Sequence, residues 1–254
     1  GFLDFPVGTQ LNAINRCVFN SGTGWLGQFG VKILRDEKRG GQEDFEEMDK
    51  FTTNRYGFEI TTNRLELWGK LGYQFPGKPY KSVGLQLSTA KHRHDSYYGF
   101  TSHDADEQSG YLNLIYQSII SSTAHKFKTG FSYMYNAYDE RLLNAQLPIR
   151  IIRDGSETTA NLMNFDRTEQ VPGALFEYTY DYLHKISLIA GMRVDYHNLF
   201  GTIFTPRVHT RVNLSQTSTI RLSAGKGTRI ANLLMENVGV LASSRQVVFS
   251  ELQS

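Results

Sequence analysis

Apolar and polar side chains alternate with a period of two over most of this sequence, and that alternation constrains the fold more than any other feature. Between Lys185 and His197, the residues Ile186, Leu188, Ala190, Met192, Val194 and Tyr196 share one parity. Lys185, Ser187, Gly191, Arg193, Asp195 and His197 share the other, with Ile189 as the apolar exception. A helix would scatter both sets around its axis, whereas a strand separates them onto two faces. Phe204, Val208, Val212 and Leu214 oppose Arg207, His209, Arg211 and Asn213, and Ile220, Leu222 and Ala224 oppose Arg221, Ser223 and Gly225. Leu65, Leu67, Leu71 and Tyr73 oppose Arg64, Glu66, Lys70 and Gln74.

The pattern predicts ten strands, at about 9–19, 25–35, 64–75, 81–92, 109–120, 125–139, 169–180, 185–197, 203–214 and 218–227. Their connections alternate between short and long. The short ones, Asn20–Gly24, Pro76–Tyr80, Ser121–Ala124, Asp181–His184 and Ser215–Thr217, are rich in turn formers. The segments 36–63, 93–108, 140–168 and 228–254 are expected as long loops. Only Asn198–Thr202 is short where a long loop is due.

Strands of ten or more residues exceed the usual 5–6 or so. They match the roughly 9–11 residues a tilted strand needs to cross a bilayer. Turns at one end and long loops at the other are the layout of an outer-membrane barrel. A sheet in lipid has to close on itself, because lipid cannot satisfy a bare edge. The expected fold is therefore all-β, an antiparallel up-and-down meander. Pro172 and Pro206 fall inside expected strands, near the long-loop end, where pairing is expected to be ragged.

Composition fits. The chain has 254 residues, with 14 Tyr, 16 Phe, 23 Gly and no long apolar run for a membrane helix. Net charge is +2, which offers no concentrated basic face for a nucleic acid. One cysteine, Cys17, excludes an internal disulfide framework and a four-cysteine metal site. The opening GFLDFPVG has no initiator Met and no signal-peptide pattern, as expected of a mature or internal fragment.

Candidate functional residues cluster in the expected loops. His92-Arg93-His94-Asp95 reads as a polar strand end rather than a metal site. His103, Asp104, Asp106 and Glu107 lack the spacing of a twelve-residue calcium loop. Tyr97, Tyr98 and Phe100 are aromatics in an expected exposed loop, a composition suited to recognition. No nucleophile-elbow or HExxH motif occurs, and no enzyme, metal or cofactor is expected. Gly225-Lys226-Gly227 marks the point where a strand meets the rim rather than a phosphate loop.

The stretch from Arg221 to Arg229 (RLSAGKGTR), followed by Asn232 and Glu236, resembles a barrel signature of TonB-dependent outer-membrane receptors. Glu169-Gln-Val-Pro-Gly-Ala, Glu177-Tyr-Thr-Tyr and Thr205-Pro-Arg207 resemble segments upstream of it. The sequence departs at Thr228 and at Ile230-Ala231, where the family more often carries aromatics or Pro. The resemblance implies that residues 1–254 are part of a 22-stranded transmembrane barrel whose plug domain and other strands are absent, so both termini look like cuts in a longer protein. It implies an outer-membrane location, a multi-pass barrel in contact with lipid, and TonB engagement through the missing plug. It implies active uptake of a scarce bulky nutrient, such as a ferric siderophore, haem or cobalamin. A passive porin is the alternative class.

On this reading Arg193, Asp195, Arg207, His209, Arg211 and Arg221 face the lumen. Ile186, Leu188, Met192, Val194, Tyr196, Val208, Val212 and Leu222 face lipid. His94, Tyr97, Tyr98, His103, Asp104 and Asp106 are the expected contacts to a metal chelate or corrinoid.

Overall fold

The computed structural model describes residues 1–250 apart from Asp4, Asp154, His184, Leu233 and Ser244. Ten strands form one antiparallel sheet in which each pairs with its neighbours in the meander. They are β1 (Val7–Asn20), β2 (Trp25–Gly41), β3 (Gly57–Gln74), β4 (Ser82–Tyr98), β5 (Thr101–Ile120), β6 (Ser122–Asn144), β9 (Leu162–Tyr182), β10 (Ile186–His197), β11 (Gly201–Asn213) and β12 (Thr219–Gly225). The strands β7 (Ile149–Arg153) and β8 (Ser156–Ala160) form a hairpin inside the β6–β9 connection, and β13 (Val248–Ser250) adds to β7 in parallel. The outermost strands of the large sheet, β1 and β12, each pair on one side only.

All ten expected strands are present, and several continue well past the expected ends. The expected loop 93–108 is not a loop. β4 and β5 stay paired up to Tyr98 and Thr101, and only Gly99 and Phe100 turn the chain. Gly99 has a φ of 62°, which a side chain would resist. The expected loops 36–63 and 140–168 shrink in the same way, to residues 42–56 and 145–161. The physical reason is that these upper strands mix polar and apolar side chains on both faces, as at Tyr97 and Tyr98 and at Leu142 and Leu143. A ladder held by backbone hydrogen bonds persists there without the apolar alternation that marks it lower down. The segment 228–254 is not an open loop either. It carries two short helical turns and β13, its last residues 251–254 lying outside the described part.

The short turns follow from their sequences. Asn20 Oδ1 accepts the Gly22 N–H at 3.0 Å, and Gly22 and Gly24 take positive φ. Ser121 turns alone, at φ 67°, beside a register shift at Ile119/Ile120, so this turn is tighter than the expected Ser121–Ala124. The expected Asp181–His184 turn is described only up to Leu183.

Both prolines lie where a ladder ends. β12 pairs with β11 only as far as Arg207↔Gly225, and Lys226 N–H then bonds the Pro206 carbonyl at 3.0 Å. β10 pairs with β9 only as far as Asp195↔Gly173, one residue short of Pro172. The absent N–H falls beyond the last paired residue in each case.

The register sorts side chains between two faces. Ile186, Met192, Val194, Tyr196, Val208 and Leu222 share one face and stand exposed, with Leu188 and Val212 half-buried among them. Arg193, Asp195, Arg207, His209, Arg211 and Arg221 share the other. On the apolar face, β9 is apolar from Tyr182 back to Pro172 and polar from Gln170 to Asn164. β6 is apolar or aromatic from Phe127 to Ala137 except at Thr129, then turns to Asp139 and Arg141. The apolar run is thus about one bilayer crossing high.

Aromatic residues border that band. At the short-turn end Trp25 packs on Tyr73 at 4.8 Å, Tyr73 on Phe75 at 5.1 Å and Tyr180 on Tyr182 at 6.4 Å. Lys81 Nζ lies over the Phe75 ring at 4.7 Å and over the Tyr116 ring at 6.0 Å, a cation–π contact at the edge of the band. Tyr135, Tyr196 and Phe204 stand at the opposite border on the same face. Two aromatic girdles around an apolar band are what lipid interfaces select.

Candidate functional site

The polar face is where burial concentrates. Above the band, His94, Ser96, Tyr98, Thr101, His103, Glu140, Leu142, Asn144, Glu169 and His197 are all buried and all share this face. Part of their cover is the segment 226–250, which leaves β12 and returns to β7. Leu234 and Leu241 from this segment pack with Tyr98, Leu142 and Ile149.

Within this wall the polar groups form a connected belt. His103 Nε2 lies 3.0 Å from Glu140 Oε2. Asn232 of the covering segment donates to the other Glu140 oxygen at 3.3 Å. The Arg167 guanidinium lies 4.5 Å from the Tyr138 ring and 3.0 Å from Glu169. Glu169 also accepts from Asn136 and faces His197 Nε2 at 4.0 Å. Because His197 Nδ1 accepts the Leu199 N–H at 3.1 Å, the ring proton belongs on Nε2, toward Glu169. Burial alone would push the Glu140 carboxyl up; the hydrogen bonds from His103 and Asn232 and the nearby Arg167 outweigh it and hold it below the usual carboxylate range. Burial pushes His94 down, aided by the neighbouring His103 and His92 rings. The belt therefore biases the Glu140 carboxyl toward its charged form and the His94 imidazole toward its neutral form, with His103 between them.

A second ionic cluster lies nearer the membrane. Arg193 bonds Asp195 at 2.7 Å and Ser132 Oγ at 2.7 Å, while Glu177 bridges Arg207 at 2.6 Å and Lys128 at 3.1 Å. Arg193, Asp195, Glu177 and Arg207 border a cleft of about 430 Å³ that Lys226 and Thr228 also line. Gly173 makes room for the cluster, since a Cβ there would strike Asp195 Oδ1.

The sequence-predicted contacts divide between the two faces. His94, Tyr98 and His103 lie on the polar face within the belt. Tyr97, Asp104 and Asp106 lie on the opposite face, above the apolar band. None belongs to an exposed loop, and Tyr97 is only 5% exposed. Its ring packs against Phe51 and Phe45, and its hydroxyl accepts the Phe51 N–H at 2.9 Å. Tyr97 thus anchors residues 42–56 to the outside of the sheet. Asp104 pairs across from Asp95; burial first, then that like charge, push its carboxyl up. A period of two explains the split, because neighbours in a strand face opposite ways.

Sequence reasoning passed over Glu140, Arg167, Glu169 and Asn232 as belt members. Their shared parity on paired strands was the available signal, but it needs the register to be read. The signature residues of the C-terminal stretch shape the covering segment itself. Arg229 pairs with Glu236 at 2.6 Å, and Glu236 also accepts the Asn232 N–H at 3.0 Å. Ser187 and His197, at opposite ends of β10, are separated by about 33 Å at the usual strand rise and cannot act together. Among the described residues no helix is long and apolar enough to cross a membrane, which says nothing against crossing by strands.

An antiparallel meander with a lipid-type band outside and a polar, ion-paired wall inside is the wall of a transmembrane β-barrel. The family model for the TonB-dependent receptor-like β-barrel matches residues 5–244, and the chain belongs to that family of outer-membrane proteins. Comparison with curated proteins returns no match. Among solved structures, the alcaligin outer-membrane receptor of Bordetella pertussis is similar, with a TM-score of 0.63 and 12% identity over 85% of this chain and 35% of that one. A mutant of the ferric enterobactin receptor of Pseudomonas aeruginosa matches 85% of this chain and 43% of its own at 10% identity, with a TM-score of 0.30. The chain thus spans about a third of the length of the alcaligin receptor, and the shared feature is the fold.

Proposed function

We propose that this chain forms part of the barrel of a receptor for TonB-dependent active uptake of a scarce, bulky nutrient. A plug domain and the remaining strands would come from the rest of the receptor, with TonB engaging the plug. The cargo class is a ferric siderophore, with haem and cobalamin as the other members of the same size range. The observation that carries this reading is the buried belt on the inner wall, covered from above by residues 226–250. A freely water-filled pore has no need of carboxylates and imidazoles packed under a folded-in segment. No covalent chemistry is assigned to the wall.

The test is uptake by cells expressing the full-length receptor in a strain stripped of its own chelate receptors. Radiolabelled ferric siderophores, haem and labelled cobalamin are offered singly. Saturable uptake of one of them, abolished by a proton uncoupler, is the expected result. Uncoupler-insensitive entry of small sugars, with no saturable chelate uptake, would instead make it a passive channel.

A further inference from the structure

Two imidazoles in the belt carry an arrangement that uptake alone does not require. His94 on β4 and His103 on β5 lie on the same face with ring centres 6.2 Å apart and planes at 50°. Each has one ring nitrogen held by an oxygen and one left over. His94 Nδ1 meets Thr62 Oγ1 at 3.2 Å, while His94 Nε2 is buried with no partner. His103 Nε2 meets Glu140 Oε2 at 3.0 Å, while His103 Nδ1 is buried with no partner. Relative exposure is 9% for His94 and 0% for His103.

A carboxylate beside Nε2 places the proton there and leaves Nδ1 a bare lone pair. A hydroxyl beside Nδ1 can do the same for His94 Nε2. Leaving such nitrogens buried and unpaired is costly. Orienting one ring nitrogen through a carboxylate or hydroxyl, so that the other presents its lone pair, is how proteins prepare a histidine for a metal.

We propose that His94 and His103 form a two-imidazole site for a divalent cation of the Cu²⁺ class, with Glu140 and Thr62 as the groups that orient the rings. The spacing fits. A metal about 2.0–2.1 Å from an imidazole nitrogen lies about 3.2 Å from the ring centre. Two rings sharing one ion then have centres about 5.2 Å apart at a tetrahedral angle and about 6.4 Å apart when opposite each other, so the observed 6.2 Å sets an angle of about 150° at the metal, the near-trans arrangement of a tetragonal Cu²⁺ site. Nitrogen ligands select copper, zinc or nickel over calcium and magnesium. Among the described residues no group of three or more His, Cys, Asp or Glu converges on one point. The protein therefore supplies two ligands, and water or an incoming chelating molecule completes the shell. His92, two residues before His94, stands across from Glu107 and is outside the pair. Glu140 also holds Asn232, so the orienting carboxylate ties the site to the covering segment.

The experiment uses the full-length receptor, purified in detergent without a histidine tag and stripped with a chelator. Cu²⁺ alone is titrated by calorimetry, and the bound ion is examined by electron paramagnetic resonance. The expected result is one saturable site with nitrogen couplings from two imidazoles. His94→Ala and His103→Ala should each weaken binding at least about tenfold, and Glu140→Gln by about 10–100-fold. His209→Ala, on the same face but remote, should leave it unchanged. Heat-dependent gel mobility confirms that each variant is folded; if His103→Ala does not fold, His94→Gln carries the test. No saturable site in the parent receptor, or unchanged binding in a folded His94 variant, overturns the proposal. Transport is not measured, so failure here leaves the uptake reading untouched, and failure of uptake leaves this site untouched.

Discussion

Phe45 shows how one residue holds a connection against the sheet. Its side chain has no exposed surface, stacks on Tyr97 at 6.0 Å and has the Arg39 guanidinium 5.4 Å from its ring. Gly57 lies directly beneath it, and a Cβ there would collide with the ring. Phe45→Ala should therefore cost up to about 3–5 kcal/mol, the range for emptying a buried aromatic site. The loss should be local, read as faster amide exchange across residues 42–56 with the rest of the sheet unchanged. Gly57→Ala should give the same pattern by expelling the ring. Tyr97 supports the same connection, and burial pushes its phenol up despite the Phe51 N–H and the Lys50 charge. An acid whose folded pKa is raised holds its proton longer in the folded state. Stability is then lost as pH rises from the ordinary tyrosine range through the raised one. Alkaline melting of residues 42–56 should follow that sign, and Tyr97→Phe should remove the dependence.

At the scale of elements, the β4–β5 hairpin extends about as far above the membrane band as its turn allows. That turn depends on Gly99, whose φ is positive and whose Cβ would meet the Tyr56 ring at 3.1 Å. Gly99→Val should cost on the order of 1–3 kcal/mol of local backbone strain. Amide exchange at Tyr98 and Thr101 should rise, while Val83 to Leu87 in the band stay protected. The strands in the band were readable because lipid on one side and water on the other impose alternation. The hairpin above it was not, since protein covers both of its faces there, Phe45 and Phe51 against Tyr97 on one side and Leu234 and Leu241 against Tyr98 on the other, which removes the contrast between lipid and water. Pro172 and Pro206 are expected from the sequence only to make pairing ragged near the long-loop end; in the structure each sits where the ladder to one neighbour ends and stays paired with the strand on its other side.

For the whole molecule, the two faces predict opposite responses to the same substitution at neighbouring positions. Leu87 lies on the apolar face and is 47% exposed, because lipid is its partner. Gln86 points to the polar face, where Asn113 donates to it at 3.4 Å. Leu87→Arg should destabilise folding into lipid vesicles by about 2–4 kcal/mol. Gln86→Arg should cost no more than about 1 kcal/mol, the worth of one hydrogen bond in a wet wall. Urea titration of both variants in the same vesicles checks the contrast, and equal costs would contradict the assignment of faces.

The sequence by itself determined the strands of the band, their order and the family to which they belong. Each of these depends on local alternation or on a short contiguous motif. The tertiary structure decided the rest. It carried paired strands through segments that look like loops, turned Tyr97, Asp104 and Asp106 away from His94, Tyr98 and His103, and joined Glu140 to Asn232 across 92 positions. Those outcomes depend on register and on long-range packing. Alternation tells which way a side chain points, but only the pairing of strands tells what it meets there.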